Sequence, residues 1–334
     1  MTLHELLARY QAEHGGSLGE TVHGVLELSD RFNGITPFRP GYLANAPLRR
    51  AYVQYYLPVN AEKVARVLAE LARYRPFAGK PIRVLDFGCG PGTASIAYLL
   101  AGGTPSELCL VDVVDEALED ARRFALEFGV RARTLHEPPR GETFDLILAA
   151  NVWSEYLPAL EPLVAPDGHL VVIEPATQTA TRRLIEWRDR NVAAGFKVAA
   201  PCLGQATCPM LAREDLWCHQ DIPWPRPASV AEVDRRTGFI KESLKYSYVV
   251  LTRTGGTLSD LEGPDARRLV SNLHKEKGKA WAWTCARDGP LCRLEILTRH
   301  RGPETAAFFH ASRGDIVNVK VEGEFFRSTG PVSK

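Results

Sequence analysis

Hydrophobic residues in the N-terminal part of the chain recur with the spacing of an α-helix. Between residues 64 and 71, apolar side chains return every three or four positions, and charged side chains fill the gaps. Asn60 precedes this pattern and can cap the helix. The apolar face of the helix comprises Val64, Val67, Leu68 and Leu71. We therefore expect an N-terminal helical region over residues 1–78.

From residue 80 onward, short apolar runs alternate with amphipathic stretches. The run at 80–87 predicts a buried strand that leads into a glycine-rich turn. Strands that alternate with helices are typical of a doubly wound, mostly parallel sheet. We expect this α/β domain over residues 79–255, with an insertion at 201–244. The further predicted strands are 108–113, 144–150, 169–174, 196–200 and 246–252, and the predicted helices are 116–128, 155–164 and 180–194.

Beyond Gly255 the pattern changes to short alternations of apolar and polar residues. This period of two is typical of strands with one buried face. The sequence therefore predicts a small β domain over residues 256–334. Its expected strands are 281–284, 293–298, 306–310 and 316–322.

Composition and charge set broad limits on the protein. The chain has 334 residues, of which 45% are hydrophobic and 24% charged, enough for one large core and a satellite domain. No apolar run has the length of a transmembrane helix. The first residues resemble neither a secretory signal nor an import leader, so we expect a bacterial-type cytoplasmic protein. Residues 264–334 hold 13 Lys and Arg against 8 Asp and Glu, a basic balance that is compatible with nucleic acid.

A glycine-rich turn follows the first predicted strand, in the sequence Val-Leu-Asp-Phe-Gly-Cys-Gly-Pro-Gly-Thr-Ala-Ser. Gly88, Gly90 and Gly92 let the backbone approach a ligand and start the next helix tightly. Their G-x-G-x-G spacing differs from the dinucleotide fingerprint, and Asp112 ends the second strand about twenty residues further on. The pattern favours a nucleotide-type ligand site. The alternative is a tight turn in a Rossmann-like fold that binds no ligand.

This arrangement resembles motif I of class I S-adenosylmethionine-dependent methyltransferases. The resemblance implies that the turn behind Asp86 approaches the aminoacyl part of S-adenosylmethionine, and that Asp112 receives the ribose hydroxyls. Asn151 follows a predicted strand and is expected at the mouth of the same pocket. We therefore expect an α/β fold with a class I methyltransferase, Rossmann-like doubly wound sheet. An N-terminal helical region, a cysteine-rich insertion and a small C-terminal β domain complete it.

The residues that would transfer a methyl group are not evident from the sequence. Adenine and glutamine N-methyltransferases carry Asn/Asp-Pro-Pro-aromatic after the fourth strand, whereas residues 151–154 read Asn-Val-Trp-Ser. Pro201-Cys202 resembles the nucleophile motif of RNA cytosine-C5 methyltransferases, but it follows the wrong strand. We therefore assign no catalytic residue, and whether the chain is an enzyme stays open.

Cys202, Cys208 and Cys218 stand close together, and Cys285 is far enough downstream to fold back onto them. In a reducing compartment, clustered thiols are more often metal ligands than disulfides. Four thiolates suit a zinc ion or an iron–sulfur cluster, and the gaps of five and nine residues favour the larger cluster. The alternative is that these are small buried hydrophobic side chains. His219 is a candidate spare ligand or hydrogen-bond donor, or else a surface histidine.

The cysteine pattern, placed downstream of motif I, resembles the methyltransferase-like small-ribosomal-subunit assembly proteins of mitochondria and bacteria. The segments that carry the likeness are Leu-Glu-Leu-Ser-Asp-Arg-Phe from Leu26, Cys-x5-Cys-Pro from Cys202, Trp-Cys-His from Trp217 and Cys-Ala-Arg-Asp-Gly from Cys285. The resemblance implies that the four clustered cysteines ligate a [4Fe–4S] cluster, with Cys89, Cys109 and Cys292 outside it. It also implies binding to small-subunit rRNA during ribosome assembly.

Basic residues of the predicted C-terminal domain form a candidate RNA-binding face. Trp281 and Trp283 lie among them and are candidate stacking partners for unpaired bases. The alternative is a solvated rim over two core tryptophans. We expect an assembly factor, and the alternative function is an active methyltransferase acting on rRNA or a small acceptor. The candidate phosphate contacts are Lys275, Lys277, Lys279, Arg293 and Arg299.

Overall fold

The structure is a computed structural model that describes residues 1–37, 41–152, 159–239, 242–287, 291–303 and 305–318. The chain divides into two compact units. The first unit contains residues 1–173 and 223–244, and the second contains residues 174–222 and 245–334. In the described part of the chain, no helix is both long and apolar enough to cross a membrane.

The first unit begins with a layer of helices. Capping boxes start the first two of them, with Thr2 and Glu5 at one helix and Ser17 and Glu20 at the next. The third and fourth helices are joined without a break by a π-helical turn, Tyr52–Tyr56. The helices of this layer are α1 Leu3–His14, α2 Leu18–Phe32, α3 Ala46–Ala51 and α4 Leu57–Tyr74.

Five parallel strands form the centre of the first unit, in the spatial order β3-β2-β1-β4-β5. Its strands are β1 Pro81–Phe87, β2 Thr104–Val111, β3 Ala132–Leu135, β4 Phe144–Ala150 and β5 Val164–Pro175. The connecting helices are α5 Thr93–Leu100 and α6 Asp115–Glu127. The doubly wound α/β fold predicted from the sequence is confirmed.

The helix predicted at 155–164 is not found in the described part of that segment. Residues 153–158 lie outside the described residues, Glu161–Leu163 is a single 3₁₀ turn, and β5 begins at Val164. Pro162 sits inside the 3₁₀ turn, and a proline beyond the first turn of an α-helix removes a backbone hydrogen bond. The prediction was therefore wrong for residues 161–164.

The second unit contains α7 Gln178–Ala193 and the strand β6 Lys197–Ala200, which runs antiparallel to β8 Ser243–Thr252. The strand β7 Gln220–Pro223 also pairs with β8. Between β7 and β8 the chain returns to the first unit, where it forms α8 Ala228–Thr237. The predicted boundaries at 78/79 and 255/256 therefore differ from the observed division. One reason is that α4 packs against α5, so the N-terminal helices are continuous with the parallel sheet.

A five-stranded antiparallel sheet follows in the second unit, as the sequence predicts. The short helix α9 Leu258–Leu261 precedes it. The strands are β9 Ala266–Leu269, β10 His274–Glu276, β11 Lys279–Ala286, β12 Cys292–Leu297 and β13 Ile316–Asn318. Its buried face comprises Leu269, Ala280, Ala282, Leu294, Ile296 and Val317, together with Phe308 and Phe309.

One predicted strand of this region is a helix. Residues 306–310 form α10 Ala306–His310. The consecutive residues Phe308 and Phe309 both pack into the same hydrophobic cluster, whereas consecutive side chains of a strand point to opposite faces. Short apolar runs do not distinguish helix from strand by periodicity. Of the strand predicted at 316–322, residues 319–322 lie outside the described residues.

Candidate ligand cavity and cysteine site

A cavity of about 930 Å³ opens in the first unit at the carboxyl ends of β1, β2 and β4. This edge of an open α/β sheet is where ligands usually bind. Three residues of the N-terminal region, Tyr42, Leu43 and Tyr52, form another wall. The remaining lining residues are Gly41, Phe87, Gly88, Gly90, Val111–Val114, His136–Gly141, Ala150–Val152, Ala159, Pro162 and Leu163.

The glycine turn predicted from the sequence forms part of the cavity floor. Gly88 has φ 62°, and a Cβ atom there would lie only 2.1 Å from Cγ1 of Val152. Gly92 has φ 81°, and its Cβ would lie 3.1 Å from Cβ of Ala121 in α6. Both positions have a left-handed backbone that favours glycine, and Gly88 has no room for a side chain, whereas at Gly92 a side chain would require Ala121 to shift. The glycines therefore serve close packing around the cavity as well as approach to a ligand.

Asp112 fixes the glycine turn from the end of β2. Its carboxylate accepts the backbone N–H of Gly90 at 2.8 Å and that of Val114 at 3.0 Å. Burial raises the pKa of Asp112, and the hydrogen bonds from these backbone groups oppose that rise. Each carboxylate oxygen accepts two hydrogen bonds, so the Asp112 side chain keeps acceptor capacity at the cavity wall.

Asp86 lies beneath the turn rather than in the cavity wall. Its side chain is 1% exposed and accepts hydrogen bonds from the backbone N–H, at 2.8 Å, and from the hydroxyl of Ser95. Burial raises the pKa of Asp86 to about 7. Among the described residues, Asp86 and Gly92 do not line the cavity. The structure thus places Asp86 as an anchor of α5, and its role beside a ligand stays a prediction.

Asn151 lines the cavity in an unusual backbone conformation. Its φ is 59°, the only positive value among the described non-glycine residues, and its N–H donates to the carbonyl of Ile173 at 2.7 Å. Strained backbone of this kind persists where the surroundings hold it and is common at functional sites. Sequence reasoning found Asn151 but missed Tyr42 and Tyr52. Their place in the wall depends on the packing of the N-terminal layer, which local periodicity does not reveal.

The four clustered cysteines line a single cavity of about 50 Å³ in the second unit. Three of their thiols pack with Ile185, Met210 and Val270. His219 lines the same cavity, and burial together with Arg313 lowers its pKa to about 4. Cys89, Cys109 and Cys292 are not among the described lining residues. The lining cysteines are Cys202, Cys208, Cys218 and Cys285.

The thiols that line this cavity raise one another's pKa. Burial raises the pKa of Cys208 and of Cys285, and the neighbouring thiols raise both further. Burial and Cys202 raise the pKa of Cys218 to about 11. Four thiols in one enclosed space are a donor set that suits a positively charged inorganic core. In the described part of the chain, no group of three or more His, Cys, Asp or Glu side chains is arranged to hold a metal ion.

Two arginines of α7 hold the loop that carries the first cysteines. Arg182 donates to the carbonyls of Leu211 and Arg213 at 3.2 and 2.8 Å. Arg188 donates to the carbonyls of Gly204 and Ala206 at 2.9 and 2.5 Å. These hydrogen bonds give the loop carbonyls partners within the protein. The loop conformation is therefore fixed by the protein itself.

The candidate RNA-binding residues lie on the antiparallel sheet in two electrostatic settings. Lys279 and Arg293 both contact Glu295, at 3.2 and 2.7 Å, and Lys279 also contacts Glu276 at 3.4 Å, so acids offset these two positive charges. Lys275 and Lys277 are exposed, and within the described residues neither forms an ion pair. Arg299 lies in a 3₁₀ turn after β12 and contacts His300.

The two tryptophans of β11 are half-buried on the outer face of this sheet. The ring of Trp281 is stacked on His274 with centroids 4.0 Å apart, and the guanidinium of Arg293 lies 4.1 Å from its centroid. His274 and Arg293 come from the strands on opposite sides of β11, so both faces of this ring are occupied. Trp283 packs against the cysteine cluster. The expectation of two open stacking platforms does not hold for Trp281.

Sequence comparisons identify the family. The profile of the mitochondrial small ribosomal subunit Rsm22 family matches residues 145–326, more than half of the chain. The chain belongs to the Rsm22 family. A methyltransferase-domain profile matches residues 54–198, the segment that contains the glycine turn, Asp112 and Asn151. The predicted relationship to small-ribosomal-subunit proteins of methyltransferase fold is thereby confirmed.

Solved structures similar to this Rsm22-family chain include several methyltransferases. A putative RNA methyltransferase from Pyrococcus horikoshii is 18% identical, with 58% of this chain and 81% of that chain covered and a TM-score of 0.36. Magnesium protoporphyrin IX methyltransferase from Synechocystis, solved with bound S-adenosylmethionine, is 15% identical, with 64% and 94% covered and a TM-score of 0.40. At these scores neither likeness bears on the activity or the ligand of this chain. No curated protein matches the sequence.

Proposed function

We propose that this chain is a small-ribosomal-subunit assembly factor that binds S-adenosylmethionine, a [4Fe–4S] cluster and rRNA. Membership of the Rsm22 family supports the association with the small subunit. The observation that carries the ligand assignment is the cavity at the carboxyl ends of β1, β2 and β4, with Asp112 in its wall. A cytoplasmic location stays a prediction from the sequence.

S-adenosylmethionine fits the chemistry of this cavity. Asp112 offers free lone pairs to the ribose hydroxyls, and hydrogen bonds to a carboxylate are stronger than those to a neutral acceptor. Gly88 and Gly90 present backbone without side chains on the neighbouring wall, so the aminoacyl part of the ligand can approach the main chain. Tyr42 and Tyr52 supply an apolar wall opposite the strand ends.

Replacing Asp112 with alanine should weaken the binding of S-adenosylmethionine. The lost hydrogen bonds to a charged acceptor are worth about 1.5–3 kcal/mol, which is roughly a 10- to 150-fold rise in Kd. Isothermal titration calorimetry measures this change. Glu116→Ala is the matched control, because Glu116 is exposed and lies outside the cavity. Equal affinity of wild type and Asp112→Ala would place the ligand elsewhere. Melting curves without ligand report any loosening of the glycine turn.

The cysteine cavity supports an iron–sulfur cluster as the second ligand. Four thiols from separate parts of the second unit face one enclosed space, and Fe–S clusters are commonly held by four cysteine thiolates. Thiolates in such a cavity need a positively charged core, because burial otherwise raises their pKa and keeps them protonated. When bound, the cluster would supply a redox-active or structural centre.

The exposed lysines of the β10–β11 hairpin support contact with rRNA phosphates. Lys275 and Lys277 of this hairpin form no ion pair among the described residues, and the same holds for the candidate Arg299 after β12. Lys279 and Arg293 instead share Glu295. Phosphate contacts release counterions, so binding through these lysines weakens as salt rises.

Reversing Lys275 and Lys277 to glutamate should reduce the salt dependence of rRNA binding. Each lost phosphate contact lowers the slope of log K against log salt by about 1, so we expect a decrease of about 2. Fluorescence anisotropy with labelled small-subunit rRNA across a salt series measures the slope. The control Lys80→Glu/Lys197→Glu makes the same charge change at exposed positions outside the hairpin. An unchanged slope for the hairpin variant, or an equal decrease for the control, would contradict this assignment.

An active methyltransferase is the second candidate function. The cavity volume of about 930 Å³ is at the upper end of ligand pockets, so an acceptor group can enter beside the methyl donor. Asn151, with its strained backbone, lies at this edge of the sheet. Mass spectrometry of small-subunit rRNA from cells with and without the protein decides between the two functions. A methyl group that disappears from one defined nucleotide would establish the enzyme.

A further inference from the structure

Two arginine side chains line the cysteine cavity and are almost fully buried. Arg188, on α7, is 3% exposed, and Arg268, on β9, is 6% exposed. A buried guanidinium is costly unless an anion or several hydrogen bonds compensate for its lost hydration. Two such groups therefore bring positive charge to the small cavity that the four cysteines line.

Arg188 forms hydrogen bonds with the cysteine loop and also interacts electrostatically with the thiols. Its guanidinium donates to two loop carbonyls and contacts Asp189, whose carboxylate accepts the backbone N–H of Cys208 at 3.0 Å. The positive charge of Arg188 also interacts electrostatically with the thiols of Cys202 and Cys208. The acid Asp189 thus offsets this arginine only in part, because its oxygens are shared with the loop backbone.

Arg268 approaches the same cavity from the antiparallel sheet. It donates to the carbonyl of Pro201 at 3.1 Å and to the hydroxyl of Tyr248 at 3.0 Å. The positive charge of Arg268 also interacts electrostatically with the thiol of Cys218. Arg188 and Arg268 therefore contact the loop backbone on either side of Cys202, from two different elements.

We propose that Arg188 and Arg268 are the counter-charges of the group that the four thiolates hold, and that they make this group easier to reduce. The inference rests on the proposed cluster. Four thiolates bring more negative charge than the [4Fe–4S] core neutralises, and one-electron reduction adds a further negative charge. Nearby guanidinium groups stabilise the reduced form more than the oxidised form, because the Coulomb attraction grows with that charge.

Removing either charge should lower the midpoint potential of the bound cluster. For Arg188→Gln and Arg268→Gln we expect the reduced-to-oxidised ratio at a fixed potential to fall at least about tenfold, which is ~59 mV for one electron. Anaerobic titration with dithionite, followed by electron paramagnetic resonance, measures this shift on the full-length protein. Arg188→Lys and Arg268→Lys keep the charge and should restore most of the potential.

Arg182→Gln is the matched control. Arg182 lies on the same helix as Arg188 and holds carbonyls of the same loop, but it is not among the described residues that line the cavity. If the arginines only held the structure, Arg182→Gln would shift the midpoint potential of the cluster as much as Arg188→Gln and Arg268→Gln do. That result, or unchanged potentials in both Arg188→Gln and Arg268→Gln, would overturn the inference. If either Arg188→Gln or Arg268→Gln fails to fold, the midpoint potential of the other variant tests the inference.

The metal content of the wild type tests the cluster separately. If it contains zinc instead of iron, the proposed cluster is wrong, and the counter-charge role is then tested by metal release. In that case Arg188→Gln and Arg268→Gln should lose zinc to EDTA at least about tenfold faster than Arg182→Gln, because a zinc tetrathiolate is also an anion. Equal release rates would overturn the inference. A wild type that retains neither metal would overturn it as well.

Discussion

Replacing any one of the four cavity cysteines with serine should remove iron from the protein and sharply lower the yield of soluble chain. Anaerobically purified wild type is expected to be brown, with about four iron atoms and four acid-labile sulfides per chain. The ligand set does not pre-exist in the unfolded chain, so most of the binding free energy becomes folding free energy. By analogy with structural zinc this is on the order of 10 kcal/mol. Iron and sulfide assays, with the soluble fraction on expression, measure both effects.

Cys292→Ser is the control for this series. Cys292 is a partly buried thiol on β12, and it is not among the described residues that line the cavity. Its replacement should leave the iron content and the soluble yield close to wild type. Retention of the full iron content by Cys285→Ser would exclude that residue as a ligand. A colourless wild type with one zinc per chain would replace the cluster by a four-cysteine zinc site.

Gly88→Ala should destabilise the first unit and abolish the binding of S-adenosylmethionine. The left-handed φ of 62° costs an alanine about 1–2 kcal/mol. Its Cβ would also lie 2.1 Å from Cγ1 of Val152, and relieving that overlap costs about 1–3 kcal/mol more. Both residues line the cavity, so the displaced side chain intrudes on the ligand. Urea unfolding and calorimetric titration measure the two effects.

A glycine with similar backbone but open surroundings separates strain from overlap. Gly129 has φ 74°, and a Cβ there meets nothing within 4 Å. Gly129→Ala should therefore show only the backbone cost and bind S-adenosylmethionine normally. Combining Gly88→Ala with Val152→Ala removes the overlapping methyl group and should recover about 1–3 kcal/mol in a double-mutant cycle. No coupling between the two sites would mean that Gly88 and Val152 do not touch.

The parallel sheet can be predicted from the sequence because the patterns that mark its strands are local. Each buried strand is a short apolar run followed by a turn, and the glycine turn depends on backbone conformations that few other residues adopt. The sequence alone does not separate the roles of Asp86 and Asp112. Both lie at the end of a strand that a helix follows, yet Asp86 faces Ser95 below the turn and Asp112 faces the cavity. Whether a residue at the end of a strand faces the cavity or the space below the turn depends on the twist of the strand and on the packing of α5.

The roles of the arginines at the cysteine cavity were the hardest feature to predict from the sequence. The cysteines stand out by composition, whereas Arg188 is one of several basic residues on a helix whose pattern is mostly polar. Its burial follows from the loop that folds over α7, which is a long-range contact without a periodic signature. The same holds for the ion pair of Lys279 with Glu295, which joins β11 to β12 and arises from strand register and not from net charge.

The path of the chain between the two units has a consequence for its synthesis. Residues 223–244 complete the first unit, and Asp234 there accepts the buried hydroxyl of Tyr55 at 2.6 Å. A ribosome making this protein therefore releases the loop with Cys202, Cys208 and Cys218 before the first unit can close, and it releases Cys285 later still. Domains usually fold as units during synthesis, N-terminal first. The thiols of Cys202, Cys208 and Cys218 are therefore synthesised before their fourth partner, Cys285. Because each unit is built from two separate segments, cleavage at one position cannot separate the two units.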